Sequence, residues 1–254
     1  MNTAWSAFHD ELARWRDAGQ TVEFWWRDDD AARPTEPLAR LIGLSRDGGA
    51  PLALAVIPRD AQTGLLGGDA STVTVLQHGV AHRNGATAGE KKTEFPAGES
   101  VDKALESLMA GRRRLAQLFG PRVLPVLVPP WNRISTPGLV DHLARAGYSG
   151  LSRFGPRTAA AGPTGLVQVN THVDLIDWKG SRGFVGEEAA LGQAIRHLQA
   201  RRAGVVDARE PTGWLTHHAV HDAATWEFLQ RLLADTAGSS QVVWRSASEL
   251  FVPA

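Results

Sequence analysis

His78 and His82 stand four positions apart, a spacing at which two imidazoles can converge on one cation if the backbone turns, and Gly79 between them permits that turn. Asp28, Asp29 and Asp30 follow Arg27 without interruption. Three adjoining carboxylates repel one another unless a metal ion or a neighbouring base neutralises them. A third group, Asp174-Leu175-Ile176-Asp177-Trp178, ends an apolar run in acid, and a carboxylate placed there needs a partner such as a histidine. Histidines end a fourth run, Trp214-Leu215-Thr216-His217-His218, with His221 and Asp222 just beyond. Taken one at a time, the pair is equally two solvated loop histidines, and the three aspartates are equally an acidic turn or a helix cap before Pro34. The group His217, His218 and His221 also contains a pair at the same spacing, so it stands as a rival metal site. Together these residue types point to a site that could hold a divalent metal ion.

The elements that must position them alternate in type. Trp5, Phe8, Leu12 and Trp15 recur at helical spacing up to Gly19, which predicts an N-terminal helix packed on the body of a domain. Thr21 to Trp26 is β-prone and empties into the aspartates, a helical face follows at Leu38, Leu41, Ile42 and Leu44, and Pro51 to Ile57 reads as a buried strand. The strand Thr72 to Leu76 delivers His78 and His82. Residues 83–98 then form a polar loop long enough to be functional and to cover the site. Ser100 caps a helix through Leu118, with Arg112 to Arg114 as its solvated face. The strand Val123 to Val128 ends in Pro129-Pro130, whose fixed backbone holds Trp131 and Asn132 at a rim. Thr136-Pro137 predicts a helix running to Gly147 with the proline at its first position. Tyr148 to Leu151 and the run from Val167 to Ile176 are further strands, Glu187 to Arg202 is an amphipathic helix, and Phe228, Leu229, Leu232 and Leu233 mark the last helix. Ligand-type residues at the ends of successive strands are what the C-terminal rim of a parallel barrel presents.

The 254 residues suit one domain spanning 1–254, with residues 1–20 packed on it. Lys plus Arg and Asp plus Glu number 27 each, so no excess of positive charge is available to follow nucleic acid or an anionic membrane. Cysteine is absent, which excludes disulfides, thiolate nucleophiles and Cys-ligated zinc and leaves any metal to His and carboxylate. The N-terminal stretch carries acidic groups and does not read as a signal peptide, and no run is long enough to span a membrane, so a cytoplasmic protein is expected. There is no Gly-x-Ser-x-Gly elbow and no P-loop, and Gly79 stands where a zincin needs Glu.

The ordered set Arg-Asp-Asp-Asp, His-x3-His, Pro-Pro-Trp-Asn, Asp-x2-Asp-Trp and Leu-Thr-His-His resembles the polysaccharide deacetylases, carbohydrate esterase family 4, with the NodB-homology domain, over residues 21–250. The resemblance implies a distorted (β/α) barrel with about seven strands and a divalent metal, most simply zinc. It implies Asp29 as catalytic base and Asp30, His78 and His82 as ligands, although a shift by one residue would give Asp28 and Asp29 instead. It further implies His217 as general acid, oriented by Asp177, and Trp131, Asn132, Trp178, Arg133 and Arg27 as substrate-side residues. Two departures stand out. Gly79 replaces a hydroxyl residue, and Val128 stands where the family carries an Arg that orients the base; Arg27 or Arg133 is the candidate replacement.

The expected activity is removal of an N-acyl group from an amino sugar or a related small amide, with Asp29 taking a proton from water and His217 giving one to the leaving amine. The expected partner is a small-molecule or oligosaccharide substrate; nothing in the sequence gives the oligomeric state. Two alternatives stand: a hydrolase of the same fold acting on a non-carbohydrate amide, and a non-catalytic sugar- or metal-binding protein. Five of the nine tryptophans (Trp25, Trp26, Trp131, Trp178, Trp214) fall in or beside the motifs, where core packing and sugar stacking compete as explanations.

Overall fold

The computed structural model describes residues 3–68, 70–162 and 165–252. Helix α1 (Thr3–Asp17) buries Trp5, Phe8, Leu12 and Trp15 as its periodicity requires. It leads to β1 (Val22–Ala31), the ten-residue strand at the centre of the sheet. Helix α2 (Glu36–Asp47) starts at Thr35, whose hydroxyl accepts from the Leu38 amide. Strands β2 (Leu52–Val56) and β3 (Val73–His78) follow, then α3 (Val101–Phe119) capped by Ser100, β4 (Val123–Val128) and the short helix α4 (Leu139–Leu143). Strands β5 (Gly150–Leu151), β6 (Val167–Gln168) and β7 (Val173–Asp174) have two residues each. The chain ends with α5 (Glu187–Arg202), β8 (Thr212–Thr216), α6 (Ala223–Thr236), β9 (Val242–Trp244) and α7 (Ala247–Leu250).

The order across the sheet is β6-β5-β4-β3-β2-β1-β8-β7, with every pairing parallel. This curled sheet with flanking helices is a distorted (β/α) barrel. Eight strands rather than about seven lie along the path, because the run after Val167 divides into two very short pieces. A ninth, β9, pairs with Val22–Phe24 of β1 below the point where β2 begins. Three-residue β9 carries too little pattern to be seen in the sequence.

Alternation along β1 separates its side chains. Phe24 and Trp26 join the layer that includes α1 and α6, whereas Trp25 packs among Ala53, Ala55, Leu76, Val126 and Val128 on the other face. The helix expected from Pro137 to Gly147 shrinks to Leu139–Leu143. The reason is Thr136, which spends its amide on Phe95 and its hydroxyl on the Pro96 carbonyl, tying the 83–98 loop instead of opening a helix. Among the described residues, no helix is long and apolar enough to cross a membrane.

Candidate active site

The parity of β1 assigns its carboxylates. Asp28 shares the face of Trp26: Trp26 Nε1 donates to Thr216 Oγ1, Thr216 donates to Asp28 Oδ2 at 2.7 Å, and Asp28 Oδ1 lies 2.5 Å from His218 Nδ1. Burial alone would push the Asp28 carboxyl up, but the His218 charge and hydrogen bond bring it below its ordinary value, and the same contact raises His218. Arg27 and Asp29 take the opposite face. The fully buried Arg27 grips both carboxylate oxygens of Asp29, at 2.8 and 3.0 Å, and also donates to Ser152 Oγ, the Arg153 carbonyl and Asn132 Oδ1. Of the two candidate guanidinium groups, it is that of Arg27 that contacts Asp29. Arg133 lies at the rim, where it donates to the Lys92 carbonyl.

At Asp30 the strand breaks register with β2 and the backbone turns left-handed, with φ of 71°. Its Oδ1 lies 3.0 Å from His78 Nε2 and 3.2 Å from His82 Nε2. His78 Nδ1 is 3.0 Å from the Val128 carbonyl, which can only accept, so Nδ1 carries the hydrogen. In neutral His78 the Nε2 lone pair then faces a carboxylate oxygen at hydrogen-bond distance, an arrangement that needs a proton or a cation between them. Burial would push Asp30 up and His78 down, but their mutual contact, with Asp29 acting on His78 and the His217 and His82 charges acting on Asp30, moves both the other way. His82 is lowered, mainly by burial. The donor set of one carboxylate and two imidazoles, all within 4.8 Å, fits a divalent ion such as zinc.

These groups floor a cavity of about 830 Å³. Its lining includes Asp29, Asp30, His78, His82 and His217 together with Trp131, Asn132, Arg133 and Trp178. The tryptophans divide accordingly: Trp25, Trp26 and Trp214 are core, whereas Trp131 and Trp178 face the cavity. All five non-glycine residues with positive φ among the described residues, Asp30, His82, Trp131, Asn132 and Arg182, line it. Such concentration of backbone strain singles this cavity out as the candidate functional site.

Asp177 does not line the cavity. Its Oδ1 accepts from the Gly180 amide and its Oδ2 from that of Ser181, and the Arg182 amide bonds its carbonyl, so this carboxylate closes its own turn. The acid beside His217 is Asp174, three residues earlier. Asp174 lines the cavity, accepts from Trp178 Nε1 at 2.9 Å, and is pushed up by burial against the opposing charge of His217. The His217 ring lies 4.7 Å from that of Trp178, and its Nδ1 is buried without a hydrogen-bond partner. The sequence motif contained both aspartates, but spacing could not tell which one the turn consumes.

Glu94 was not singled out in the sequence. Its carboxylate accepts from the Val80 and Ala81 amides, and a Cβ on Gly79 would sit 2.0 Å from Glu94 Oε2. The signal was the absent hydroxyl at position 79: Glu94 occupies that space. The polar 83–98 loop is thus fastened beside the histidines, and Lys92 from it joins the cavity wall.

The rival group does not assemble. His218 is committed to Asp28, while His221 lies against Trp226 at 4.5 Å and is lowered to about 4, chiefly by burial. A different buried cluster, His172, His197 and Glu210, lies at the other end of the barrel, where β7 and β8 begin. Its two rings stack 3.5 Å apart at 15°, so their in-plane lone pairs do not converge. His172 Nδ1 also accepts from the Gly213 amide, which places its hydrogen on Nε2, facing Glu210 at 3.3 Å. This cluster is a polar packing unit and a poor metal site.

No protein-family model matches the chain, and no curated protein matches it. Solved structures do. A protein from Mycobacterium smegmatis assigned to the polysaccharide deacetylases aligns with a TM-score of 0.63 at 15% identity, over 92% of this chain and 90% of that one. The Bc1960 peptidoglycan N-acetylglucosamine deacetylase, in complex with an N-oxidanyl-benzamide, aligns at 0.54 and 14%, covering 91% and 88%. A pseudoenzyme of carbohydrate esterase family 4 from Bacillus anthracis aligns at 0.53 and 14%, covering 92% and 66%. At such identities the likeness is one of architecture: the chain has the fold of the polysaccharide deacetylases, carbohydrate esterase family 4.

Proposed function

We propose that this chain is a metal-dependent hydrolase that removes an N-acyl group, acetyl in the first instance, from an amino sugar or a related amide. The observation that carries the reading is the Asp30 oxygen flanked by two imidazole Nε2 atoms, one of which is obliged by the Val128 carbonyl to present a lone pair. Asp30, His78 and His82 would hold a divalent ion, zinc by its preference for this donor set, which when bound polarises the amide carbonyl and acidifies a water. Asp29, both oxygens held by Arg27, takes the water proton. The clamp aims that carboxylate, as a general base must be aimed. His217, beside the buried Asp174, delivers a proton to the departing amine. Trp131 and Trp178 offer faces for a sugar ring, and Asn132, in the same lining, holds Arg27 through its Oδ1.

Both sequence features that favoured a non-catalytic protein have a local explanation, since Arg27 fills the role vacated at Val128 and Glu94 requires the glycine at 79. The test is metal analysis of protein purified without chelator, with acetate release measured from N-acetylated sugars and from simple N-acyl amides. About one zinc per chain, absent from His78→Ala/His82→Ala, is expected. Turnover lost about 10²- to 10⁴-fold in Asp29→Asn is expected with it. Metal held without release of acyl from any substrate would class the chain with its pseudoenzyme neighbour.

A further inference from the structure

The mouth of the cavity is lined by four cationic side chains whose charges the proposed chemistry does not use. Lys92 and Arg133 stand on the wall built from the segments that follow β3 and β4. Lys179 and Arg182 stand on the wall that follows β7, on the other flank of β1 in the sheet order. All four are exposed, and none forms an ion pair among the described residues. The nearby carboxylates are engaged elsewhere: Glu94 holds the Val80 and Ala81 amides, Asp177 its own turn, and Asp222 the Phe184 and Thr225 amides. Within the cavity, Asp29 is matched by Arg27, Asp30 is flanked by imidazoles, and Asp174 is tied to Trp178 beside His217. In a chain of zero net charge, this is a local concentration of positive charge at a site entrance.

Both walls are built rather than loose. Thr93 Oγ1 bonds the Arg133 carbonyl and Arg133 Nη1 bonds the Lys92 carbonyl, so the two loops of one wall are joined. Across the site, the Asp177 carboxylate organises the turn that carries Lys179 and Arg182, and Arg182 is held at φ of 61°. Asp177 is therefore a positioning residue for this rim.

Resting on the hydrolase reading above, we propose that the substrate is an N-acyl amino sugar bearing an anionic group, a phosphate or carboxylate, which these four cations recognise while Trp178 and Phe154 cover the ring. A neutral polymer would leave the four charges without a counterpart. An anionic substituent satisfies them from both walls and is steered to the mouth by their summed field.

The test compares N-acetylglucosamine 6-phosphate with N-acetylglucosamine, a pair that differs by the anion. Binding is read by intrinsic tryptophan fluorescence and acetate release is followed in parallel, on zinc-loaded wild type and on Lys179→Gln/Arg182→Gln, Lys92→Gln/Arg133→Gln and the combined fourfold variant. Thermal melting confirms that each variant is folded, and the two pairs stand in for one another if the fourfold variant is not. The phosphate ester is expected to bind at least about tenfold more tightly at low salt, to lose that advantage in 0.5 M NaCl, and to lose it stepwise in the variants. Equal affinity for both sugars, no binding of either, or an advantage unchanged in the variants overturns the proposal. An anion preference that depends on the four cations, with no acetate released from either sugar, upholds the recognition and refutes the hydrolase reading instead.

Discussion

Arg27 illustrates what single residues contribute beyond their place in a motif. It sits on the same strand as Asp29, the base proposed above, two positions away, so β alternation alone brings guanidinium and carboxylate to one face. That parity separates Asp28 from Asp29 because the strand runs on to Ala31, whereas the sequence pattern carried it only to Trp26 and left the register of the three aspartates open. What spacing could not show was the third partner, Ser152, which arrives from beyond the two-residue β5. A lysine at position 27 would keep the charge and lose the bidentate fork. Arg27→Lys is therefore expected to lower kcat about 100-fold with little change in KM, whereas Arg27→Ala, which strands a buried carboxylate, should cost about 3–5 kcal/mol of stability. Steady-state kinetics and urea unfolding check the two outcomes. The two aspartates of the fourth motif divide in the same way. Asp174→Asn removes the charge beside His217 and should depress kcat about 10²-fold. Asp177→Asn disturbs only the rim turn and should raise KM while kcat stays near wild type. Equal kcat losses in both variants would contradict the assignment of Asp174 to His217.

At the scale of elements, long strongly patterned segments were readable, the short strands β5, β6 and β7 were located but not bounded, and β9 was not seen. Helices α1, α2, α3, α5 and α6 and strands β1 to β4 and β8 carry enough apolar repeats to declare themselves. Strands β5, β6 and β7, at two residues each, take their place from neighbours rather than from their own pattern. The 83–98 loop is the instructive case, because its polarity suggested a cover and its order comes from contacts that no local pattern encodes. Gly79, at φ of 56°, sits against Glu94 from this loop and against Pro130 from the next, 2.6 Å from an added Cβ. Gly79→Ala combines a left-handed alanine, costing about 1–2 kcal/mol, with an overlap costing about 1–3 kcal/mol. Glu94→Ala leaves two backbone amides without their acceptor, at about 1–3 kcal/mol. Because Glu94 is one of the two groups in the overlap, the double variant should be at least about 1 kcal/mol more stable than the sum of the single losses. Additivity in a denaturation cycle would show that Glu94 does not occupy the space kept open by Gly79.

At the scale of the molecule the barrel carries histidines at both ends, and the two sets respond to different ligands. At the mouth, zinc at one hundred times its Kd is expected to add about 2.7 kcal/mol to the apparent stability of the wild type and nothing to that of His78→Ala. At the opposite end, His172 and His197 are stacked and buried, and a proton on one is opposed by the other and by Arg201. Burial, followed by the His172 and Arg201 charges, brings His197 down to about 2, and burial lowers His172 against the pull of Glu210. An unfolded histidine titrates near 6.5, so between that value and about 2 the unfolded chain binds a proton that folded His197 refuses. The contribution is absent above the unfolded value and becomes a penalty as pH falls through it, roughly 1.4 kcal/mol per pH unit for one such group. Zinc would add a pH dependence of its own through ligand protonation, so the comparison belongs in EDTA. His197→Gln, neutral at every pH, should start less stable at pH 7 because the stacking is lost, yet fall more shallowly between pH 6 and 4.5, by about 1 kcal/mol per unit. Titrations of metal-free wild type and variant that run parallel over this range would mean that His197 takes up its proton while the protein remains folded, and that the acid sensitivity of the barrel originates at the mouth instead.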